Sequence, residues 1–493
     1  MILAACLIPF AAGLLAFFVP WDKPRRVLLI LTALAHAGLV AAFWFILPEP
    51  RVGGWFELDT IGKYFLSITS LLFLAAACYG VAYLSGEDRG DRTDVEEGFI
   101  FQNAPEAVFT GCLLMFLATM TLVLISQHFG ILWIAMEATT LVSAPLIYFH
   151  RHHRSIEATW KYLLICSVGI ALALLGNLFL VIAGSIEGQK AVPLVLSELI
   201  GRHGELNVLW LKAAFLFLLV GYGTKMGLAP LHTWLPDAHS EAPSVVSALL
   251  SGALLNCALV GILRTHQVCA AAGLGEMSSE LLRGFGLLSM FFAALFILRQ
   301  PDFKRMLAYS SVEHMGIVAL GIGLGGSAVF GGLFHAVNHS LTKAALFFIA
   351  GNIMAAYNTK SVSGVQGLLR TLPVSGILWI AGFLAITGSP PFGSFLSEFI
   401  ILKSALDQGH YYAAVIYLVV LAAIFAGMAM IFLNMAQGVP APEMKMSGAR
   451  KESVMMVFPP AVFCVLVLLL GIYIPEFLQE TLREAARLLG GLG

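Results

Sequence analysis

Three titratable side chains recur at four-residue spacing in one apolar segment, FHAVNHSLTKAALFFIAGNI. They are His335, His339 and Lys343. At roughly 100° and 1.5 Å per residue, this spacing places all three on one helix face, in a stripe about 12 Å long. Imidazoles and an amine each accept and release protons, so the stripe predicts a proton wire in an apolar environment. A lone buried histidine is more often held by hydrogen bonds alone, and the shared register with the lysine argues against that interpretation here.

Three further charges interrupt apolar runs. Glu137 lies in ILWIAMEATTLVSAPL, Lys225 at a break rich in glycine and proline, and Glu398 in SFLSEFIIL. A charge at the centre of a bilayer costs at least about 2.5 kcal/mol, so each is a candidate for function. We expect Glu137 to pair with Lys225 and control its proton, and Glu398 to end the wire. The structural alternatives are an ion pair for Glu137, a cap on unwound carbonyls for Lys225, and snorkelling for Glu398.

Polar residues around the seventh and eighth apolar segments could lead protons in from one face. The candidates are His232, Asp237, His239 and Glu241. Solvation in a loop is the simpler account of this group. The seven cysteines lie singly, mostly in apolar runs, and no CxxC occurs. We therefore expect small buried thiols and no cofactor in this chain.

Three other titratable residues have ambiguous positions. Glu313 and His314 are adjacent, so they point to different helix faces, and we expect only one of them to face a channel. Lys161 follows the basic loop HRHHR and suits a membrane anchor and a proton relay equally well. A metal site is the competing interpretation of His335 and His339, because histidines four residues apart ligate zinc on helices. The next titratable group on that face is a lysine, so we expect no metal.

Membrane helices must position these groups. Hydrophobic residues make up 59% of the 493 residues and charged residues 12%, against about 45–50% and about 25% in soluble domains. Apolar runs long enough to cross a bilayer recur about fourteen times, and they do not alternate as barrel strands do. The net charge of −1 gives a nucleic-acid partner no electrostatic basis. The sequence predicts an all-α polytopic membrane protein with about 14 transmembrane helices and no soluble catalytic domain.

Two predicted spans are interrupted by glycine and proline, which break helices. The seventh contains GYGTKMGLAPLHTWLPDAHSEAP and the twelfth GFLAITGSPPFGSFLSEF. In lipid, such breaks are tolerated where they line a cavity, and a pair of them points to a transport path. Because the breaks lie five spans apart, we expect two five-helix repeats. The predicted domains are 1–107 (three helices and a polar loop), 108–266 and 280–436 (the two repeats), and 437–493 (a last helix and tail).

Lysine and arginine in the connecting loops predict the orientation. Loops after odd-numbered spans hold fifteen, whereas loops after even-numbered spans and the C-terminal tail hold seven. Because cytoplasmic loops carry the excess, both termini are expected on the non-cytoplasmic side. The first span lacks a basic n-region and a clear cleavage site, so we expect it to be retained. The protein is predicted to lie in a bacterial or archaeal cytoplasmic membrane.

Long strings between about residues 105 and 435 resemble a known family. They are KMGLAPLHTWLPDAHSEAPSVVSALL, PDFKRMLAYSSVEHMGIVALG and FHAVNHSLTKAALFFIAGNI. They are similar to the antiporter-like proton-conducting subunits shared by respiratory complex I, Mrp-type sodium/proton antiporters and membrane-bound group 4 [NiFe] hydrogenases. The phrases EATTLVSAPLIYF, WKYLLICSVGIALALLGN and SSVEHMGIVALG look most like the hydrogenase-4 component F group of formate hydrogenlyase-type complexes.

The resemblance implies a fold and roles for several of the candidate residues. It implies two inverted five-helix repeats, each with a broken helix. Glu137 and Lys225 would form the first half-channel, Lys343 the centre, and Glu398 the exit. The resemblance places His335 and His339 beside the central lysine and aligns Lys161 with a family lysine.

One departure from the family pattern affects the centre of the path. Many relatives carry a histidine in the eighth span where this chain has Ser251. Asn256 or an ordered water would then have to bridge Lys225 to Lys343.

These inferences lead to one expected function and three rivals. We expect a proton-translocating membrane subunit that carries no redox cofactor. Its partners would be other membrane subunits and a peripheral redox arm with iron–sulfur and possible NiFe subunits. The rivals are a membrane subunit of NADH:quinone oxidoreductase, an Mrp-type antiporter subunit that exchanges Na⁺ for protons, and a structural anchor with an inactive channel, which Ser251 motivates.

Overall fold

Helices make up most of the chain in the computed structural model, which describes residues 1–87, 90–93, 98, 100–185, 191–438 and 452–491. The helices are α1 (Ile2–Phe18), α2 (Asp22–Ala42), α3 (Thr60–Ser85), α4 (Glu106–Ile125), α5 (Phe129–Ile147), α6 (His153–Ala183), α7 (Leu196–Gly201), α8 (Val208–Met226), α9 (Trp234–Glu241), α10 (Ser244–Leu249), α11 (Leu255–Ala271), α12 (Gly275–Ile297), α13 (Phe303–Leu324), α14 (Ser327–Tyr357), α15 (Leu368–Thr371), α16 (Pro373–Ile386), α17 (Gly393–Asp407), α18 (Tyr411–Gln437), α19 (Val454–Ile472) and α20 (Glu476–Leu488). Two strands of two residues each, β1 (Arg92–Thr93) and β2 (Ile100–Phe101), pair antiparallel before α4. A π-helical turn at Leu250–Leu254 joins α10 to α11.

Twelve helices among the described residues are long and apolar enough to cross a membrane. That count takes Ser244–Ala271, which joins α10, the π turn and α11, as one helix of 28 residues. Two shorter apolar helices complete the set: α1 has 17 residues, and α16 has 14 residues and continues beyond a break as α17. Twelve and two give fourteen spans, which confirms the predicted number. The outer faces carry many exposed large apolar side chains, as a surface in contact with lipid requires. The chain is an integral membrane protein.

The first broken span is formed by α8 and α9. Helix α8 ends before Gly227, which adopts the left-handed conformation at φ +84° that glycine accommodates at a helix end. The indole N–H of Trp234, the first residue of α9, donates to the carbonyl of Thr224 at 2.8 Å. Because a carbonyl freed in a membrane must find a partner within the protein, Trp234 stabilises the break. The alternative in which Lys225 caps the freed carbonyls is wrong, because its ammonium group donates to the hydroxyls of Thr140 and Tyr162 instead.

The second broken span is formed by α16 and α17. Gly388 between them has φ +61°, and a Cβ on it would lie 2.0 Å from Glu398 Oε2. A Cβ on Gly393, at the start of α17, would lie 2.1 Å from Asn338 Oδ1 of α14. Both glycines are therefore needed for close packing, and the break brings the Glu398 carboxyl against the backbone of the bend.

Five consecutive spans repeat in the same order. The first set is α4, α5, α6, the broken α8–α9 pair and α10–α11, and the second is α12, α13, α14, the broken α16–α17 pair and α18. Because five is odd, the second set enters the membrane from the opposite side, so the repeats are inverted. The helix of residues 244–271 and α13 are buried along their whole apolar lengths, and α14 is buried along most of its length. These three helices form the core of the bundle.

Helix α3 ties the N-terminal part of the chain to this core. The hydroxyl of Tyr64 donates to the carbonyl of Leu333 at 2.8 Å. The hydroxyl of Tyr79, about four turns further on, lies 2.9 Å from both the carbonyl of Phe348 and the side-chain oxygen of Asn352. Helix α3 thus holds α14 at two separated points.

Domain boundaries and sidedness stay predictions. Several basic residues that entered the orientation count lie outside the described residues. They are Arg89, Lys190, Lys445, Arg450 and Lys451. The start of the predicted C-terminal unit, 437–493, also includes undescribed residues, 439–451.

Candidate functional site

Lys225 occupies a fully buried pocket in the last turn of α8. Its Nζ donates to Thr140 Oγ1 at 2.5 Å and to the hydroxyl of Tyr162 at 2.9 Å. The same nitrogen lies 4.8 Å from the centroid of the Tyr162 ring, within cation–π range. Neutral hydroxyls therefore hold this lysine in place.

Glu137 lies one turn before Thr140 on α5. Its carboxylate accepts hydrogen bonds of 3.4 Å from Thr140 Oγ1 and from Ser167 Oγ of α6. Among the described residues no ion pair within 4.0 Å joins Glu137 to Lys225, so the predicted pair is bridged by the Thr140 hydroxyl. Glu137 is also only half-buried, because its side of α5 lies at the surface of the bundle.

Asn256 links the first repeat to the second, but not at the predicted residues. Its Nδ2 donates to Ser340 Oγ of α14 at 2.8 Å and to the carbonyl of Gly252 at 2.9 Å. The described residues contain no hydrogen bond from Asn256 to either lysine. Ser251, in the π turn, shares a hydrogen bond of 2.8 Å with Ser311 of α13. A π turn at a buried polar junction is typical of functional sites.

Lys343 is fully buried at the centre of α14. Its ammonium group donates to the carbonyl of Leu307 and to Ser310 Oγ, both on α13. Among the described residues it has no carboxylate within ion-pair distance, although Glu313 acts on it electrostatically. Like Lys225, it is held by neutral oxygen atoms.

The histidine stripe of α14 lies in the core, as the four-residue spacing predicts. His335 Nε2 and His314 Nδ1 are 2.6 Å apart, and the two rings stack at 4.9 Å between centroids. The His339 ring lies 5.0 Å from His314. His335 Nδ1 shares a hydrogen bond of 2.9 Å with Ser397 Oγ, next to Glu398. Three imidazoles on two helices thus connect the region of Lys343 to α17.

Glu398 is buried beneath the bend between α16 and α17, so snorkelling to a surface is wrong. One nitrogen each of His314 and His335 and one carboxylate oxygen of Glu398 lie within 4.8 Å of one another. These atom types suit a metal ion, but both nitrogens of His335 already form hydrogen bonds. His339, half of the metal pair weighed from the sequence, lies outside this group. Hydrogen-bonded imidazoles beside a carboxyl suit proton transfer better than ligation.

The predicted relay Lys161 lies in an ion cluster near one end of the bundle. It pairs with Glu157 at 2.6 Å and with Asp237 at 3.1 Å, and Asp237 also pairs with Arg305 at 2.6 Å. The Lys161 side chain is 45% exposed. This geometry brings Lys161 and Asp237 together, and both of its predicted roles, anchor and relay, remain open.

Solvation in a loop is wrong for the two histidines near the first break. His232 lies among aromatic rings of α12 and α13, and His239 stacks on Phe347 of α14 at 5.0 Å. Both are buried, because the broken segment folds into the bundle. Glu241 at the end of α9 pairs with Lys360. The charges of Lys360, His152 and Arg154 also act on the Glu241 carboxylate.

Sequence reasoning missed Thr140, Tyr162 and Ser310, which hold the two lysines. Thr140 could have been found from the sequence, because it lies three residues after Glu137 and therefore next to it on the same helix face. Glu313 and His314 are adjacent on α13, and the expectation that only one of them faces the path stays a prediction. Both are buried, and both act electrostatically on groups of the path, because α13 is surrounded by protein on every side. We call the following set of residues the polar axis, although the described residues show no hydrogen bond from Asn256 to either lysine and none to the His339 ring: Glu137, Thr140, Lys225, Asn256, Lys343, His339, His314, His335 and Glu398.

Comparisons with known proteins agree with this geometry. Residues 126–426 match the family described as "NADH:quinone oxidoreductase/Mrp antiporter, TM". A hydrogenase-4 component F homolog of Methylacidiphilum infernorum is 36% identical over 385 residues, which span 78% of this chain and 79% of that protein. Hydrogenase-4 component B of Escherichia coli is 28% identical over 419 residues, 81% of this chain but only 59% of that longer protein.

A solved structure shares the whole fold. A chain of the membrane-bound sulfane sulfur reductase, an archaeal respiratory membrane complex, superposes with a TM-score of 0.85 over 99% of this chain and 98% of its own length, at 19% identity. The family match and the relative that is 36% identical confirm the family resemblance inferred from the residues. The chain belongs to the NADH:quinone oxidoreductase/Mrp antiporter family of antiporter-like transmembrane subunits.

Proposed function

We propose that this chain is the proton-translocating membrane subunit of a multi-subunit redox complex of the group 4 [NiFe] hydrogenase or formate hydrogenlyase type. The observation that carries the proposal is the buried polar axis with its two lysines held by neutral oxygens. Because no carboxylate among the described residues pairs directly with either ammonium, each can lose its proton without leaving a buried carboxylate unpaired. The relative named hydrogenase-4 component F homolog supports the choice of complex.

Proton transfer runs along the polar axis through hydrogen bonds where the described residues form them, and water would have to bridge the gaps between Lys225 and Asn256 and between Lys343 and His339. A change at the redox module alters the position or charge state of Glu137, and Thr140 passes the effect to Lys225 through its two hydrogen bonds. Asn256 and Ser340 connect the lysine region of the first repeat to α14. Lys343 then delivers a proton through the imidazoles to Glu398.

The half-buried Glu137 argues for a neighbouring membrane subunit. A carboxylate at mid-span in contact with lipid would cost several kcal/mol, so another subunit is expected to cover this face of α5. The remaining proposed partners are a peripheral arm with iron–sulfur and NiFe subunits. This chain would carry no redox cofactor. The protein would lie in the cytoplasmic membrane of a bacterium or archaeon, with both termini on the non-cytoplasmic side.

Purification in mild detergent tests the choice of complex. Nickel in a large subunit together with iron–sulfur proteins is the expected result. Flavin and quinone-module subunits without nickel would instead place the chain in complex I. Sodium-dependent pH changes in vesicles without any electron donor would favour an Mrp-type antiporter.

Lys225→Met tests the role of the polar axis. The purified complex is sealed into vesicles with a pH-sensitive dye and driven by its electron donor. Loss of proton movement with normal assembly is expected, because methionine keeps the side-chain length but carries no proton. Lys212→Met is the matched control, since Lys212 lies on the same helix and is exposed. Normal pumping by the Lys225 variant would overturn the proposal.

A further inference from the structure

Glu313 is a buried carboxyl in the middle of α13 that the path described so far does not use. It is 2% exposed, and its Oε2 is buried without a hydrogen-bond partner among the described residues. Buried carboxyl oxygens are nearly always satisfied, because leaving one unpaired costs free energy. A group of this kind at mid-membrane is expected to have a function.

The position of Glu313 on its helix places it beside the central lysine. Leu307 and Ser310 of α13 hold the Lys343 ammonium group. Glu313 follows Ser310 by three residues and lies on nearly the same helix face. Its charge acts on Lys343, and the next residue, His314, shares the hydrogen bond with His335.

Glu313 precedes His314, one nitrogen of which lies within 4.8 Å of a Glu398 carboxylate oxygen, and the Glu313 and Glu398 carboxyls repel each other electrostatically. A single ammonium group, that of Lys343, cannot neutralise both. Two interacting carboxyls in one low-dielectric region share a proton, and ionising one favours protonation of the other. The titratable groups around Glu313 are Lys343 and His314, with Glu398 and Tyr417 on the facing helices α17 and α18.

We propose that Glu313 is a proton-transfer residue between Lys343 and Glu398, a role that rests on the proposed function. In the first step the Lys343 ammonium loses a proton, and the Glu313 carboxylate gains it as a carboxylic acid. In the second step that proton passes to the Glu398 carboxylate, directly or through the His314–His335 pair, and Glu313 is again ionised. The step consumes no other reactant. Glu313 thus holds the proton between its transfer from Lys343 and its transfer to Glu398, so Lys343 can take up a new proton before the first one leaves Glu398.

Glu313→Gln in the whole complex tests this role, because glutamine has the same shape but cannot carry the proton. The expected result is at least a tenfold loss of donor-driven proton movement. A carboxylic C=O band is also expected to disappear from the infrared difference spectrum between the resting and driven complex. Glu280→Gln, at an exposed site on α12, is the matched control. Wild-type pumping and an unchanged infrared spectrum in Glu313→Gln would overturn the proposal.

A second variant tests the role of Glu313 if the complex that carries Glu313→Gln does not assemble. Glu313→Asp keeps the acid but shortens its reach, so slower pumping with a shifted pH profile is expected. An unchanged rate and an unchanged pH profile would overturn the role. The two proposals fail separately: if Lys225→Met pumps normally, the proposed function is wrong. If Lys225→Met blocks pumping while Glu313→Gln pumps normally, only the Glu313 role is wrong.

Discussion

The two repeats share a fold but differ in how their polar groups are enclosed. In the first repeat, Glu137 is half-buried at the bundle surface and reaches Lys225 through one threonine hydroxyl. In the second, Lys343, Glu398 and the three histidines of the polar axis are all buried. The first repeat is therefore open to influence from a neighbouring subunit. The second encloses all of the residues proposed to transfer protons within it.

This difference indicates that the two repeats of the chain have different roles. A group at a protein surface can sense the charge or movement of a partner, whereas an enclosed chain of titratable groups transfers protons with little leakage. The first repeat is suited to receive the coupling signal, and the second is suited to carry the transfer that follows.

The largest effect is expected from Lys343→Met, which breaks the enclosed repeat at its centre. Without the amine, α13 loses the only ammonium group that Leu307 and Ser310 hold among the described residues. Proton movement by vesicles should fall by at least about a hundredfold, in the range for loss of a proton-transfer group. Lys403→Met on α17 is the control, because Lys403 is exposed and pairs only locally with Asp407. Pumping within twofold of wild type would mean that the second repeat does not carry the proton.

Gly388→Ala should have an intermediate effect, because it strains the break of the second repeat. The added Cβ would overlap the Glu398 carboxyl at 2.0 Å and sit on a backbone with φ +61°. We expect a loss of about 1–3 kcal/mol in stability and slower pumping. Thermal unfolding in detergent and the vesicle assay measure the two.

Gly223→Ala on α8 is the control for Gly388→Ala, because the added Cβ has room at this site. A Cβ there would meet its nearest neighbour, Leu228 Cδ1, at an ordinary 3.4 Å. Stability should be kept or slightly raised, since alanine favours helix over glycine. Equal losses in the two variants would mean that the overlap with Glu398 is not what makes Gly388→Ala costly.

The smallest loss of proton movement is expected from Thr140→Val, which removes the hydroxyl bridge of the first repeat without changing its shape. Lys225 keeps Tyr162 as a partner and loses one charge-assisted hydrogen bond, about 1.5 kcal/mol, while Glu137 loses the 3.4 Å hydrogen bond from the same hydroxyl. Pumping should fall about tenfold, while Thr140→Ser should restore it. If valine and serine behave alike, Glu137 does not act on the lysine through this hydroxyl.

The sequence predicted the enclosed repeat better than the open one. The four-residue spacing of His335, His339 and Lys343 determines one helix face whatever surrounds it, so the stripe was predictable. The surface exposure of Glu137 was not, because a continuous apolar span does not reveal which side contacts lipid, protein or a partner.

The error over His239 has a physical cause. Loop solvation is the simpler account of a histidine in a broken span when only the sequence is known, yet the broken segment packs against α14 in the core. A break in a helix does not reveal whether the segment that follows it turns towards water or folds back into the bundle.

The tyrosine hydrogen bonds from α3 to α14 determine which parts of the core can move. They grip α14 at Leu333 and Phe348, fifteen residues or about 22 Å apart, on either side of the histidine–lysine stripe. Helix α14 is therefore held by α3 near both ends of the stripe. Because the hydrogen-bond partners of His335 and Lys343 lie on α13 and α17, a displacement of either helix relative to α14 would lengthen or break these contacts.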